Sequence, residues 1–399
     1  MDPAPIPYGR HEVTCGDMQA VLCALQSEFL TQGPRVAEFE EAIASACGAR
    51  HAVAVSSGTA GLHLAVLAAG LGSGDSVLVP ANTFVASANC ALYAGAEVRV
   101  VDIEPETHNL SITHLEETLA HWSGSSRPRG VVPVHFAGHP VNLPALAAIA
   151  QRHGLLMIED ACHALGAALR VGSDWIQIGC GRWSIATVLS LHPVKHITTG
   201  EGGVVLTNDG SLAARVRTLR HHGIVRDPEY FERAQGRDEP WYYEMQMLGF
   251  NYRLTDLQCA LGLSQLKRLS GYVERRRAIA ARYEAALAGL PHVRLPTEAP
   301  WARHAYHLFV LEVDFDALGI SRVEVMGRLR AEGVGSAVHY IPLYRQPYYR
   351  RRYGLDPAQF PVTEAYYERA LTIPLFPSMT DAQVDYVASA VRRVLEQST

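Results

Sequence analysis

Between residues 51 and 160, short runs of β-branched and aliphatic residues alternate with stretches at helical spacing. Segments 51–55, 76–80, 97–102, 130–136 and 155–160 have strand character, and 58–69, 84–93, 112–121 and 143–153 repeat their apolar residues with a helical period. Strands joined through helices of this length lie parallel, because an antiparallel pair needs only a tight turn. The alternation therefore predicts an α/β chain, with a mainly parallel sheet covered by helices on both faces. Strands at 185–192 and 203–208 and a helix at 211–221 continue the pattern.

An irregular lead-in, 1–34, carries Tyr8, a helical stretch at 17–25 and the segment Phe29-Leu30-Thr31-Gln32-Gly33-Pro34, and a helix over 35–47 ends at Gly48. Beyond residue 221 come a polar, aromatic insert at 226–247, helices at 256–269 and 274–288, strands at 307–313 and 335–340, and helices at 322–332 and 381–397. A chain of 399 residues exceeds what one small core organises. Two domains are expected: residues 1–265 as the N-terminal segment with a large sheet domain, and 266–399 as a smaller C-terminal α/β domain.

Composition narrows the function classes. Hydrophobic residues at 48% and charged residues at 19% describe an ordinary globular chain. A net charge of −5 argues against a general nucleic-acid binder, while leaving room for a local phosphate pocket. The seven cysteines are scattered, odd in number and free of a C-x-x-C pair, which predicts reduced thiols with neither a disulfide frame nor a metal centre. Met1-Asp2-Pro3-Ala4-Pro5 lacks a basic stretch followed by an apolar run. The most apolar helix, at 61–70, contains His63 and is too short for a bilayer. A cytoplasmic chain with no membrane partner is expected.

Only two of the 35 basic residues are lysines, Lys195 and Lys267. Lys267 stands beside Arg268 at the polar end of a helix, as a solvated charge would. Lys195 sits in Ser190-Leu191-His192-Pro193-Val194-Lys195-His196-Ile197-Thr198-Thr199-Gly200-Glu201-Gly202-Gly203. Arginine stays protonated and is no practical nucleophile, whereas a desolvated lysine can lose its proton and condense with an aldehyde. Lys195 is either a leftover surface charge or that nucleophile, and its neighbours decide.

Ligands of parallel sheets sit beyond the carboxyl ends of the strands. Ser56-Ser57-Gly58-Thr59, Asn82-Thr83-Phe84, His135-Phe136-Ala137-Gly138 and Glu159-Asp160-Ala161-Cys162-His163 each follow a strand there. Ser57, Gly58 and Thr59 open a helix and suit either a phosphate or a plain helix cap. Asp160 ends an apolar strand, where a carboxylate is costly unless paired; it serves either as a structural acceptor or as the partner of a protonated heteroaromatic nitrogen. His163 either stacks on a planar ring or is a satisfied core histidine. A phosphate site, a strand-end carboxylate and one retained lysine are together what pyridoxal 5′-phosphate requires. Neither a G-x-G-x-x-G nor a G-x-x-x-x-G-K-[ST] motif points to a dinucleotide or nucleoside triphosphate instead.

With these segments, with Pro80-Ala81-Asn82-Thr83-Phe84 and with Gly249-Phe250-Asn251-Tyr252-Arg253, the chain resembles nearly end to end the DegT/DnrJ-type sugar aminotransferases of PLP fold type I. The Lys195 loop, Ala260-Leu261-Gly262-Leu263-Ser264-Gln265-Leu266 and Val338-His339-Tyr340-Ile341-Pro342-Leu343-Tyr344 look most like the 4-aminotransferase branch of pseudaminic acid biosynthesis. The resemblance implies a cytoplasmic homodimer with shared active sites. L-glutamate would donate its amino group, leaving 2-oxoglutarate, and a UDP-linked 4-keto-6-deoxy-N-acetylhexosamine would accept it. A GDP-sugar enzyme of the perosamine type is the nearest alternative. Lys195 would be the Schiff-base lysine and proton shuttle, Asp160 would pair with the pyridine nitrogen, and His163 and Phe84 would flank the ring. Ser57, Gly58, Thr59 and Ser190 would hold the phosphate, with Asn251 reaching it from the other subunit. Tyr8, Glu28, Phe29, Leu30, Thr31, His339 and Tyr340 would line the sugar-nucleotide pocket. The chain departs from the family at Cys162, where a small Ala or Ser is commoner, and in the length of the 226–247 insert.

Overall fold

The computed structural model describes residues 5–233 and 239–396. Residues 1–4, 234–238 and 397–399 lie outside the described residues, and with them the middle of the 226–247 insert and the last residue of the helix expected at 381–397.

Two helices lead in, α1 (Cys15–Leu25) and α2 (Pro34–Cys47). Proline opens α2, where its missing N–H costs nothing, and Gly48 at φ 73° closes it. The alternation then runs as expected: β1 (His51–Val55), α3 (Gly58–Ala68), β2 (Asp75–Pro80), α4 (Ala86–Tyr93), β3 (Glu97–Val101), α5 (Ile112–Ala120), β4 (Arg127–Val131), α6 (Leu143–His153) and β5 (Leu156–Asp160). After the hairpin β6 (Ala168–Val171) and β7 (Asp174–Gln177) come β8 (Ala186–Ser190), β9 (Gly203–Thr207) and α7 (Gly210–Arg220). Seven strands form one sheet in the order β1-β9-β8-β5-β4-β2-β3. The pairs from β8 through β5, β4 and β2 to β3 are parallel. Strand β9 runs against both β8 and β1, because the chain between β8 and β9 is a loop rather than a crossover helix.

Two expected strands differ. The one expected at 130–136 is β4, whose regular ladder ends at Val131; residues 132–135 stay alongside β2 and β5 through the Val132 N–H to the Leu78 carbonyl and a single bridge from Val134 to Asp160, and the chain turns at Phe136–Gly138, with Ala137 at φ 55° and Gly138 at φ 98°. The one expected at 335–340 does not form. Val334 makes one isolated bridge to Ile6 and Ala337 another to Thr372, while the Tyr340 N–H donates to the Asn82 side chain instead of a ladder.

The chain continues through β10 (Ile224–Val225), β11 (Glu244–Met245), α8 (Asp256–Leu266) and the long helix α9 (Leu269–Leu287). Beyond them lie β12 (Val293–Arg294), β13 (Ala302–Arg303), β14 (Phe309–Val313), α10 (Arg322–Ala331), α11 (Pro347–Tyr353), α12 (Pro361–Arg369), β15 (Ala370–Ile373) and α13 (Asp381–Glu396). A small antiparallel sheet, β12-β14-β15, packs Leu311, Val313 and Ile373 into one buried cluster with Ile279 and Tyr283 of α9 and Val387 and Val391 of α13. The segment holding Leu343, Tyr344, Tyr349 and Phe360 returns instead to the core of the large sheet. Among the described residues no helix is long and apolar enough to cross a membrane.

Helix α3 is apolar nearly all round, the pattern of a helix buried on every side. It presses directly on the sheet: a Cβ on Gly61 would stand 2.8 Å from Val188 of β8. At Gly203, the first residue of β9, a Cβ would stand 2.5 Å from the Ser57 carbonyl and 2.7 Å from the Gly58 nitrogen. No side chain fits there without moving the start of α3. Gly203→Ala is expected to lower stability by about 1–3 kcal/mol through forced repacking. Gly210→Ala, whose Cβ would make an ordinary 3.5 Å contact with His51, is the control expected to leave stability equal or slightly raised. Thermal unfolding of the two variants against the parent checks both.

Candidate active site

Three strand ends and one loop meet at the carboxyl edge of the sheet. β1 delivers Ser57, whose Oγ accepts from the Ala60 N–H at 3.0 Å and caps α3. The capping expectation is met, and the first-turn N–H groups of Gly58 and Thr59, which no helical carbonyl can reach, open toward the same space. β5 ends on Asp160, β8 on Ser190, and Lys195 follows in the loop before β9. Tyr8, Ser57, Gly58, Thr59, Phe84, Asp160, His163, Ser190, Lys195, His339 and Tyr340 line one cavity of about 350 Å³. The remaining expected residues lie outside it. Asn251 is an exposed residue bridged through its backbone to His221, and Thr31 is bridged to Thr255. Glu28, Phe29 and Leu30 face solvent.

Asp160 is buried and held from two sides: Oδ2 accepts from the Ser87 hydroxyl at 2.6 Å and Oδ1 from the Cys162 N–H at 3.1 Å. Ser87 is itself fixed at 2.7 Å by Thr83. Among the described residues no cationic side chain pairs with this carboxylate. A buried carboxylate in that position calls for a positive partner, and a protonated pyridine nitrogen supplies one. The residues present thus fit pyridoxal phosphate: an anion-ready helix start at Gly58, an unpaired buried carboxylate, a lysine amine and aromatic rings bordering one cavity.

Lys195 Nζ lies 3.3 Å from His307 Nε2. Burial holds its pKa below the ordinary lysine value; Cys162 and Asp160 oppose this, and the Arg276 guanidinium adds to it. His163 hydrogen-bonds through Nε2 to the Tyr340 hydroxyl at 3.0 Å and packs on His307 with ring centres 4.2 Å apart. Tyr340 in turn lies 6.0 Å from Phe84, and Tyr8 borders His339 at 5.5 Å. His307, Ser87 and Arg276 are not among the residues expected from the sequence, and Thr83 is expected only as part of the strand-end segment Asn82-Thr83-Phe84. The one signal for His307 was a polar residue opening an otherwise apolar strand.

The imidazoles around the site are neutral because burial disfavours their charge. It lowers His196 to about 3 and His139 and His339 to about 4, and it holds His163, His304 and His307 well below the usual value. Between pH 6.5 and these lowered values the unfolded chain binds more protons than the folded one, so stability falls as pH drops. For His139 alone the loss completes near its folded value of about 4 and amounts to roughly 3 kcal/mol. Thermal midpoints followed from pH 7 to 4 are expected to fall steeply; a flat profile would contradict the buried neutral assignment.

The chain matches the model of the DegT/DnrJ/EryC1/StrS aminotransferase family over residues 13–392. It is 39% identical over 392 residues, 98% of this chain and 97% of the other, to the spore coat polysaccharide biosynthesis protein SpsC of Bacillus subtilis. Among solved structures it is similar to a sugar aminotransferase, Spr1654 of Streptococcus pneumoniae, in its PMP form at TM-score 0.88 and 25% identity, covering 99% of this chain and 100% of that one. The same protein in its PLP form is similar at TM-score 0.87. It is also similar to Helicobacter pylori PseC, an aminotransferase of pseudoaminic acid biosynthesis, at TM-score 0.88 and 26% identity over 98% and 100% of the two chains. From end to end, this chain belongs to the DegT/DnrJ/EryC1/StrS family of aminotransferases, which depend on pyridoxal phosphate.

Proposed function

We propose that this protein transfers the amino group of L-glutamate to C4 of a UDP-linked 4-keto-6-deoxy-N-acetylhexosamine, as in pseudaminic acid biosynthesis. The observation that carries the aminotransferase chemistry is a lysine amine of lowered pKa sharing one cavity with a buried carboxylate that, among the described residues, forms no salt bridge. The UDP-4-keto-sugar part rests on the resemblance of the Lys195 loop and the Val338–Tyr344 segment and on the structural likeness to PseC.

Pyridoxal phosphate, when bound, supplies an aldehyde and a ring that accepts the electrons of a carbanion. The chain's own groups do the rest. Gly58 and Thr59 N–H groups with the Ser57 and Ser190 hydroxyls bind the phosphate at the start of α3. Asp160 keeps the ring nitrogen protonated, and Ser87 and the Cys162 N–H orient it for that task. His163 and Phe84, which line the same cavity, would border the ring's two faces. Lys195 Nζ takes the proton from Cα of glutamate in one half-reaction and delivers one to C4 of the sugar in the other, a role for which a lowered pKa suits it. Tyr8, His339 and Tyr340 line the sugar side.

The reading includes a second copy of the chain. Asn251 and residues 28–31 lie outside their own cavity, and Leu22, Leu25, Phe29 and Leu30 are exposed apolar side chains beside them in the chain. Docking of that face would carry Asn251 and the 28–31 segment to the other copy's phosphate and sugar pockets. The reading also places the enzyme in the cytoplasm and divides it into a large domain, 1–265, and a smaller one, 266–399.

Lys195→Arg is expected to remove the near-visible absorption of the bound cofactor and to cut amino transfer at least a hundredfold or so. A variant that keeps both would sink the mechanism. Offered UDP- and GDP-linked 4-keto sugars with glutamate, the enzyme is expected to aminate the UDP sugar at C4. Transfer to the GDP sugar alone would overturn the substrate while leaving the chemistry standing.

A further inference from the structure

We propose that His307 is the positioning residue for Lys195, donating a hydrogen bond from Nε2 to the Nζ lone pair whenever that amine is not joined to the cofactor. Among the described residues His307 is the one hydrogen-bond partner of Nζ, at 3.3 Å. The imidazole is buried, and its Nδ1 has no hydrogen-bond partner among the described residues. A proton on Nδ1 would bury an unpaired donor, which native structures avoid more strictly than an unpaired lone pair. The proton therefore belongs on Nε2, facing the amine. A donor in that position favours the uncharged amine, the form that attacks an aldehyde or removes a proton from carbon.

The ring is not free to drift. The His307 N–H donates to the Ala137 carbonyl at 2.7 Å, and its own carbonyl accepts from Arg276 Nη1 at 3.2 Å. Arg276, fully buried in α9, also donates to the carbonyls of Tyr306 and Leu375. Tyr306 stands at φ 45° and Ala137 at φ 55°, left-handed conformations that non-glycine residues hold only where the surroundings enforce them. Between them Gly138 is obligatory: a Cβ there would lie 2.8 Å from the His163 carbonyl and 3.1 Å from the His307 nitrogen. Strain of this kind collects where geometry matters, and here it fixes one ring between His163 and Lys195.

The charges agree. His307 faces Lys195, His163, His196 and Arg276; Lys195 faces His307, Asp160, Cys162 and Arg276. Burial and the neighbouring cations hold His307 neutral well below the usual histidine value, so it donates without adding charge.

The proposal rests on the aminotransferase reading of Lys195 and is independent of the sugar. Because the chain has two lysines, Lys267 serves as an internal reference for Lys195. Full-length protein stripped of cofactor is pulse-acetylated with limiting acetic anhydride across a pH series, and both lysine peptides are quantified by mass spectrometry. Lys195 is expected to react with a midpoint below that of Lys267. In His307→Asn, whose amide reaches only where Nδ1 stood, the Lys195 midpoint should rise and both its neutral-pH labelling and kcat should fall about tenfold, with KM for glutamate little changed. His307→Gln, whose amide reaches the Nε2 position, should stay within about threefold of the parent. If parent Lys195 titrates no lower than Lys267, or if the two variants behave alike, the proposal is wrong. Failure of the functional reading shows separately, as the expected labelling pattern in a protein that transfers no amino group.

Discussion

A half-buried lysine amine, partly withdrawn from water, is the constraint to which the rest of this site answers. Dehydration disfavours the ammonium form, so the surroundings must supply hydrogen bonds to an uncharged amine without adding charge of their own. Around Lys195 His307 does so, one of several imidazoles that burial keeps neutral, while the charges of Asp160 and Arg276 act on the amine in opposite directions. The β8–β9 loop can carry Lys195 into that shell because Gly203 lets β9 close against the start of α3. The N–H groups at the start of α3 and the lysine thus share one edge through a single backbone contact that tolerates no Cβ.

Much of the sheet was legible in the sequence because buried parallel strands and their helices write period and length directly. His51–Val55 and Leu143–His153 have the expected bounds, and most other elements of the alternation differ by a few residues at their ends. Direction was not legible, since a strand's period is the same either way along it; β9 is antiparallel for the sake of the loop before it. Residues 335–340 have strand composition, but their backbone groups are spent on single bridges and on the Asn82 side chain. The β6–β7 hairpin escaped notice because half of its residues face solvent and carry no apolar alternation. For the cavity, motif residues at strand ends were recoverable, whereas His307 lies 112 positions from Lys195 and reaches it only through tertiary packing.

The residues that do not reach the cavity are as informative as those that do. Thr31 is bridged to Thr255, four residues along the chain from Asn251, and Leu22, Leu25, Phe29 and Leu30 of the lead-in are exposed apolar side chains. A second copy covering that face, as proposed, would convert misplaced site residues into shared ones.

The distribution of cations over the chain follows from the two chemistries available to a basic side chain. Lys267 closes α8 as an exposed C-cap, a place where any cation suits the helix dipole. Arg276 occupies the opposite extreme, fully buried with carbonyl partners and, among the described residues, no carboxylate; its pKa, pulled down to about 9, still leaves it charged at neutral pH. A lysine there starts from a lower intrinsic pKa and would lose its proton under the same dehydration. An arginine at 195 would err in the other direction, keeping its charge where the proposed proton transfer needs it gone. The two positions are coupled, since the guanidinium that must stay charged helps to depress the amine that must not.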